Sequence, residues 1–311
     1  MKANFFAEGV YISPTLRCNA ACRHCVASED VADVPDVGRD QLLEWINQFA
    51  ESGIKDVRFV GGEPFLLLSD LAVWTKRIKG LGMDSTIVTN ASWGRTKESA
   101  RKVLEILPDL DNLVISSDKF HLEFIEPNTV KNAIEVALQY GKNVIMNITY
   151  IEKEDIQYMM QLFGSYQDRI IIQMVKTMPF DGPEAGQIVK HCYFQKPHRT
   201  PKFCWIGNYF ISASGDVYAC CQSSIGTETN YLTLGNLNEE RLPDLISRAH
   251  KREVYRYIGK NGPRGIVKAF LESPYKDELM EFEFASGCEI CQKLLNDPDK
   301  YEYFLKYIQE E

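Results

Sequence analysis

The stretch GVYISPTLRCNAACRHC, residues 9–25, decides the reading of this chain. Its first half, rich in β-branched and aromatic residues and bounded by a proline turn, reads as a strand. Directly after it come Cys18, Cys22 and Cys25, spaced C-x3-C-x2-C on the loop that leaves the strand tip. A second stretch, DVRFVGGEP at 56–64, reads as the next strand and ends in Gly61, Gly62, Glu63 and Pro64. Two successive strand tips therefore carry chemistry: a thiol cluster on one, a backbone-exposing, acid-bearing turn on the other.

Outward from these, the pattern repeats. STIVTN to Asn90, NLVISS to Ser117, NVIMNITYI and RIIIQMV to Val175 read as further strands, with amphipathic helical stretches between them. Six βα-type units predict a parallel sheet with helices outside it. Six are too few for a closed eight-stranded barrel, so the expected fold is α/β, a partial (β/α)6 TIM barrel open on one side, with its chemistry at the carboxyl ends of the strands. After Met178 the chain turns Pro/Gly/charge-rich, and NYFISASGDVYACC then reads as a hairpin. The expected division is a barrel over 1–181, a connector over 182–203 and a small unit over 204–311.

Of the 311 residues 45% are hydrophobic, enough for a sizeable core. No apolar run approaches the roughly 20 residues that span a bilayer, and the first residues lack secretion-signal features. A cytoplasmic protein is expected. With 35 basic and 43 acidic residues the formal charge is −8, which disfavours nucleic acid as a partner. Nine cysteines, odd in number and tightly grouped, argue for metal ligation over disulfides.

Three thiolates can hold three irons of a [4Fe-4S] cubane and leave the fourth open, the arrangement of a reactive rather than a structural site. By spacing alone a zinc knuckle with His24 as fourth ligand is an alternative. The cysteine loop and the Gly61-Gly62-Glu63-Pro64 strand end taken together resemble the radical S-adenosylmethionine (SAM) superfamily. That resemblance implies SAM held by its amino and carboxylate groups on the spare iron and cleaved reductively to a 5′-deoxyadenosyl radical. It implies that Gly61, Gly62 and Glu63, followed by Pro64, hold the methionine amino group. It also implies that His24, where the family usually has an aromatic residue, lies near the adenine. Thr89, Asn90, Ser117 and Asp118 would contact the methionine carboxylate and ribose; otherwise they are ordinary capping and turn residues.

Cys204, Gly215, Cys220 and the later Cys288-x2-Cys291 resemble the twitch appendage, a shortened SPASM domain that carries one auxiliary [4Fe-4S] cluster. The spacing at 288/291 would also suit a zinc ribbon. Adjacent strand residues point to opposite faces, so if Cys220 is a ligand, Cys221 points away and its thiol could donate a hydrogen atom. Cys221 as a small buried hydrophobe, or as the ligand in place of Cys220, is the plain alternative. Cys192 receives no role.

GGEPFLLL, TNASWG, SSDKFHLEFI, the Cys220-Cys221 pair and SGCEICQKLLN, in this order, resemble enzymes that epimerise L- to D-residues in ribosomally made peptides. This implies a precursor peptide as substrate, an electron donor such as flavodoxin or ferredoxin, and Cys221 as the hydrogen donor. Asn208 departs from that pattern, which has an acidic residue there. Oxidative peptide crosslinking, dehydrogenation of a small alcohol, and a non-catalytic iron–sulfur or zinc scaffold are the competing readings. With the cysteine loop beginning at residue 18, no leader-recognition domain is expected ahead of the barrel.

Overall fold

Alternating burial along each strand separates two faces. Val57 and Phe59, Leu113 and Ile115, and Val144, Met146 and Ile148 are buried against helices. Their neighbours Arg58, Val114, Ile145 and Asn147 stand half-buried on the other face, toward the barrel interior. A computed structural model describes residues 9–25, 34–176, 196–200, 204, 208–220, 232–284 and 287–310; Cys192 and Cys221 lie outside them.

The strands are β1 (Gly9–Thr15), β2 (Asp56–Gly61), β3 (Asp84–Thr89), β4 (Asn112–Ser116), β5 (Asn143–Tyr150) and β6 (Ile171–Lys176). Each pairs in parallel with the next. Parallel neighbours need crossovers, and these are α1 (Arg39–Glu51), α2 (Leu68–Gly80), α3 (Lys97–Ile106), α4 (Pro127–Gln139) and α5 (Lys153–Phe163). Phe59 of β2 stacks on Trp74 of α2 with centroids 5.9 Å apart, both rings fully buried. Each such side chain contributes on the order of 1.5–3 kcal/mol. The result is the partial barrel that the pattern predicts.

The predicted hairpin forms as β7 (Tyr209–Ile211) and β8 (Asp216–Tyr218), followed by β9 (Thr233–Asn236). Unexpectedly, β7 pairs in parallel with β1, so the sheet runs β6-β5-β4-β3-β2-β1-β7-β8-β9. The hairpin thus covers the open backbone edge of β1 and carries the barrel's sheet past residue 204. Helices α6 (Leu242–Lys251), α7 (Glu253–Leu271), α8 (Lys276–Glu281), α9 (Gly287–Leu295) and α10 (Pro298–Glu310) complete the described chain. α7 is kinked where Gly262 takes φ +61 ahead of Pro263, which has no N–H to give. Among the described residues no helix is long and apolar enough to cross a membrane.

Candidate active site

The β1–β2 register slips between Ile12 and Thr15, a bulge that takes up Pro14 and turns the chain toward the cysteine loop. The end of β2 closes against this bulge. Gly62 N–H donates to the Thr15 carbonyl at 2.9 Å and Glu63 N–H to that of Arg17 at 2.8 Å. A Cβ on Gly61 would stand 2.3 Å from the Thr15 oxygen, and one on Gly62 2.0 Å from that of Arg17. Both positions need glycine for this close approach, and Gly61 also sits at φ +112. From the other side, Thr15 Oγ1 donates to Asp36 at 2.6 Å and Val37 N–H to the Pro14 carbonyl at 2.9 Å.

Glu63 is 1% exposed and ties the tip of β2 to that of β3. Its carboxylate accepts from Phe65 N–H (3.1 Å), the Thr89 hydroxyl (2.9 Å) and Asn90 N–H (2.8 Å). Asn90 in turn donates to Asn19 at 2.8 Å and approaches the Cys18 sulfur at 3.8 Å. Pro64 opens a short turn, Pro64–Leu67, in which Pro64 and Leu67 are buried. Burial pushes the Glu63 carboxyl up to about 6, against the pull of those three donors and His121. A carboxyl raised from 4.5 stabilises the fold fully below pH 4.5, and that contribution is lost as pH rises through 6. Wild type is therefore expected to lose about 2 kcal/mol relative to Glu63→Gln between those limits. Paired chemical denaturation of metal-free proteins at each pH checks this, because the other carboxylates are common to both.

The β4–α4 connection grips the cysteine loop from the far side. Asp118, wholly buried, accepts from the N–H groups of Phe120 (3.0 Å) and His121 (3.1 Å). It also accepts from His121 Nδ1 at 2.9 Å and lies 3.3 Å from His24 Nε2. Burial opposes its charge, but the bonds from His121 and His24 outweigh burial and hold the carboxyl far below its ordinary range. His24 stacks on Phe120, centroids 4.5 Å apart, and meets His121 edge-on at 5.1 Å. Arg23 reaches Glu123 at 2.6 Å. Cys22 packs with Phe120 and Ile151. Three buried polar atoms in this region have no hydrogen-bond partner: His24 Nδ1, Ser117 Oγ and Asn147 Oδ1.

Cys204 precedes β7 and Cys220 follows the antiparallel β8, which puts both at the amino-terminal edge of the sheet, opposite the first cysteine loop. Burial drives the Cys291 thiol up, with Cys204, Cys288 and Cys220 adding to the effect as neighbouring charges. All four are thus brought together. Also at the amino-terminal edge, Asn208 Oδ1 lies beside Gly9, with the Arg58 guanidinium close by. Arg58 is bonded to Asp56 and Tyr11. Cys221 lies outside the described residues.

The Radical SAM superfamily pattern matches residues 12–164, and the SPASM iron–sulfur cluster-binding pattern residues 203–268. The chain carries a radical SAM domain. A relative spanning 98% of this chain and 97% of its own length, at 24% identity, is the peptide biosynthesis protein YydG of Bacillus subtilis. The GTP 3′,8-cyclase of Limosilactobacillus fermentum is 29% identical over 55% of this chain and 54% of that protein. Among solved structures, the radical SAM methyltransferase TsrM of Kitasatospora setae aligns over 54% of this chain and 36% of its own, at TM-score 0.41 and 13% identity.

A radical SAM domain implies a [4Fe-4S] cluster and SAM, and a SPASM domain implies auxiliary iron–sulfur clusters. The described residues fit these groups. Burial pushes the Cys22 thiol up to about 12, with Asp118, Cys25, Cys18 and Glu123 adding repulsion, so a thiolate there would need a cationic partner, which an iron–sulfur core would supply. A single zinc ion would draw its sulfurs to about 3.8 Å from one another. Among the described residues only His24, Asp118 and His121 gather three ligand atoms within 4.8 Å, and no trio of cysteines does. His24 turns Nε2 to Asp118, at 3.3 Å.

The sequence reading passed over His121, Glu123 and Asn147. A signal existed for two of them: His121 lies at i+3 from Asp118, and Asn147 is an amide in the middle of the otherwise apolar run VIMNI of β5.

Proposed function

We propose that this radical SAM enzyme epimerises a residue of a ribosomally made peptide. The 5′-deoxyadenosyl radical removes a Cα hydrogen, and the Cys221 thiol returns one from the opposite face, leaving a thiyl radical that one electron from the reductant and one proton from water restore to the thiol. The observation that carries this reading is the likeness to YydG along nearly the whole of both chains. The cyclase likeness covers only about half of this chain. On this reading Cys18, Cys22 and Cys25 hold the SAM cluster and Cys204, Cys220, Cys288 and Cys291 the auxiliary cluster. Cys221 is then the surplus thiol of the adjacent pair. The substrate lies between the two cysteine groups, where Arg58, Tyr11 and Asn208 offer hydrogen bonds to peptide amides. A small reductant such as flavodoxin or ferredoxin feeds the clusters. Because Asp56 already balances Arg58 and residue 208 is an amide, the wall they form is close to neutral and suits a peptide backbone better than a charged substrate.

The test is incubation of reduced enzyme in D2O with a candidate precursor peptide. One deuteron on the altered residue, with no other mass change, is the expected product. Cys221→Ala should still cleave SAM and consume peptide hydrogen but yield no D-residue, a loss of at least about a thousandfold, as when a group acting directly on the reacting atom is removed. A product two hydrogens lighter, formed equally by Cys221→Ala, would instead mark an oxidative reaction.

A further inference from the structure

A formal charge of −8 hides one strongly basic face. Residues 248–268 hold seven Lys and Arg against one acid, Glu253, a local +6. On α7 the cations Arg256, Lys260, Arg264 and Lys268 recur every fourth residue and all are exposed, while Val254, Tyr255, Ile258 and Ile266 are buried. The cations therefore form one ridge along the helix, on both sides of the kink at Gly262. Lys251 and Arg252, also exposed, continue it from the end of α6.

The fold gains little from this ridge. Like charges four residues apart repel, and Arg252 and Arg256 stand at the amino-terminal end of α7, where the helix dipole disfavours cations. Glu253 reaches Arg256 at 3.8 Å, and Arg264 Nε donates to the Thr200 carbonyl at 2.8 Å. Among the described residues Lys251, Arg252, Lys260 and Arg264 have no carboxylate partner. Repulsion left unbalanced within the chain points to an acidic partner outside it.

The place of the ridge says which partner. The buried face of α7 packs on α9, which carries Cys288 and Cys291, so the ridge lies one helix diameter, about 10 Å, away from that helix. Arg252 Nη1 donates to the Tyr255 hydroxyl at 3.2 Å, and its guanidinium lies 5.7 Å from the centre of that ring. Burial pushes the Tyr255 hydroxyl up to about 12 against the pull of Arg252, with Tyr301 and Cys220 adding to the rise. A surface cation, a buried aromatic ring and a thiol of the auxiliary set are thus neighbours. A membrane does not fit, because the apolar face of α7 is already spent in the core.

We propose that the basic ridge of α6 and α7 is the docking surface for a small acidic one-electron carrier protein, which reduces the auxiliary cluster from this side. The carrier loses one electron and the cluster core gains it. The inference rests on the assignment of Cys204, Cys220, Cys288 and Cys291 to the auxiliary cluster and is independent of what the enzyme does to a peptide.

The probe is flavodoxin, an acidic carrier, with cluster-loaded enzyme free of SAM and peptide. Its dissociation constant is measured anaerobically by fluorescence anisotropy at low and at high salt. The double variant Lys251→Glu/Lys260→Glu should weaken binding about tenfold or more at low salt and flatten the salt dependence. Lys76→Glu, at an exposed cation of α2 that also lacks an ion-pair partner, should stay within about twofold. Mixed with flavodoxin hydroquinone, wild type should develop the electron paramagnetic resonance signal that later addition of SAM leaves unchanged, and the double variant should do so about tenfold more slowly. Binding by the double variant within about twofold of wild type, or an equal loss in Lys76→Glu, overturns the docking surface. A DNA duplex that binds wild type more tightly than flavodoxin does would make the ridge a nucleic-acid surface and overturn it as well. An equal rate of reduction in the double variant, or reduction of the SAM-sensitive cluster alone, overturns the route. Iron for one cluster per chain would instead refute the cluster assignment, and the route with it, whatever the affinities.

Discussion

Gly62→Ala is expected to abolish SAM cleavage while leaving the auxiliary cluster in place. The added methyl would lie 2.0 Å from the carbonyl oxygen of Arg17, 2.5 Å from its carbon and 2.6 Å from the Leu16 oxygen. All three are backbone atoms of the segment leading into Cys18, so no rotamer change relieves the clash. Separating the two loops breaks the Gly62-to-Thr15 and Glu63-to-Arg17 hydrogen bonds. It also displaces Cys18 from the position to which Asn90 and Asn19 hold it. Misplacement by about 1 Å at a reacting centre costs on the order of a hundredfold in rate. Here the proposed ligands of the SAM cluster move, so a loss of at least that size is expected. Anaerobic reconstitution should show iron missing from the first site, with 5′-deoxyadenosine formation falling in step. Gly80→Ala is the matched control, since a methyl there has nothing within 4 Å and should leave activity unchanged. A wild-type cleavage rate in Gly62→Ala would mean that the β2 tip does not set the cysteine loop.

The barrel was readable because its signals are local. Period-two and period-3.6 patterns fix strands and helices without reference to anything distant, and all six strand stretches lie where the pattern puts them. The two glycines were read as a ligand-facing turn. They also serve a packing need that only the fold exposes, since the carbonyls they accommodate lie some 45 residues earlier, at Thr15 and Arg17. Glu63, expected as a cofactor contact, also accepts from Phe65, Thr89 and Asn90, and so ties the tips of β2 and β3 together. Thr89 and Asn90, expected at the ligand, spend hydrogen bonds on Glu63, Ala91 and the cysteine loop. The β7–β1 pairing was not legible, because β7 has three residues and strand partnership is a long-range choice that no short pattern encodes. His121 was missed for a related reason. Its effect passes through Asp118 to a histidine almost a hundred residues away, and a single sequence does not display such contacts.

The second large effect concerns Cys291. It lies in α9, in the core among Leu294, Ile290 and the helices around them, with Cys204, Cys220 and Cys288 as near neighbours. In the proposed auxiliary site four thiolates from three separated segments converge, so the bound cluster staples β7, β8 and α9 together. Where metal ligands come from segments that cannot hold together alone, binding free energy acts as folding free energy. Cys291→Ser removes one ligand and leaves a hydroxyl buried where its partner was iron, which adds about 1–3 kcal/mol. The variant is expected to carry about half the wild-type iron and to melt about 10 °C lower, as a loss of a few kcal/mol does in a chain of this size. SAM cleavage without peptide should persist within about threefold. The contacts that place the first cysteine loop come from Thr15, Asp36, Gly62, Glu63, Asn90, Asp118 and Glu123, and among these none lies beyond β6. On the proposed function peptide turnover should be lost, because Cys220, next to Cys221 in the sequence, then belongs to an incomplete ligand set. Iron analysis and calorimetry of the variant decide the matter: full iron and an unchanged melting temperature would remove Cys291 from the ligand set.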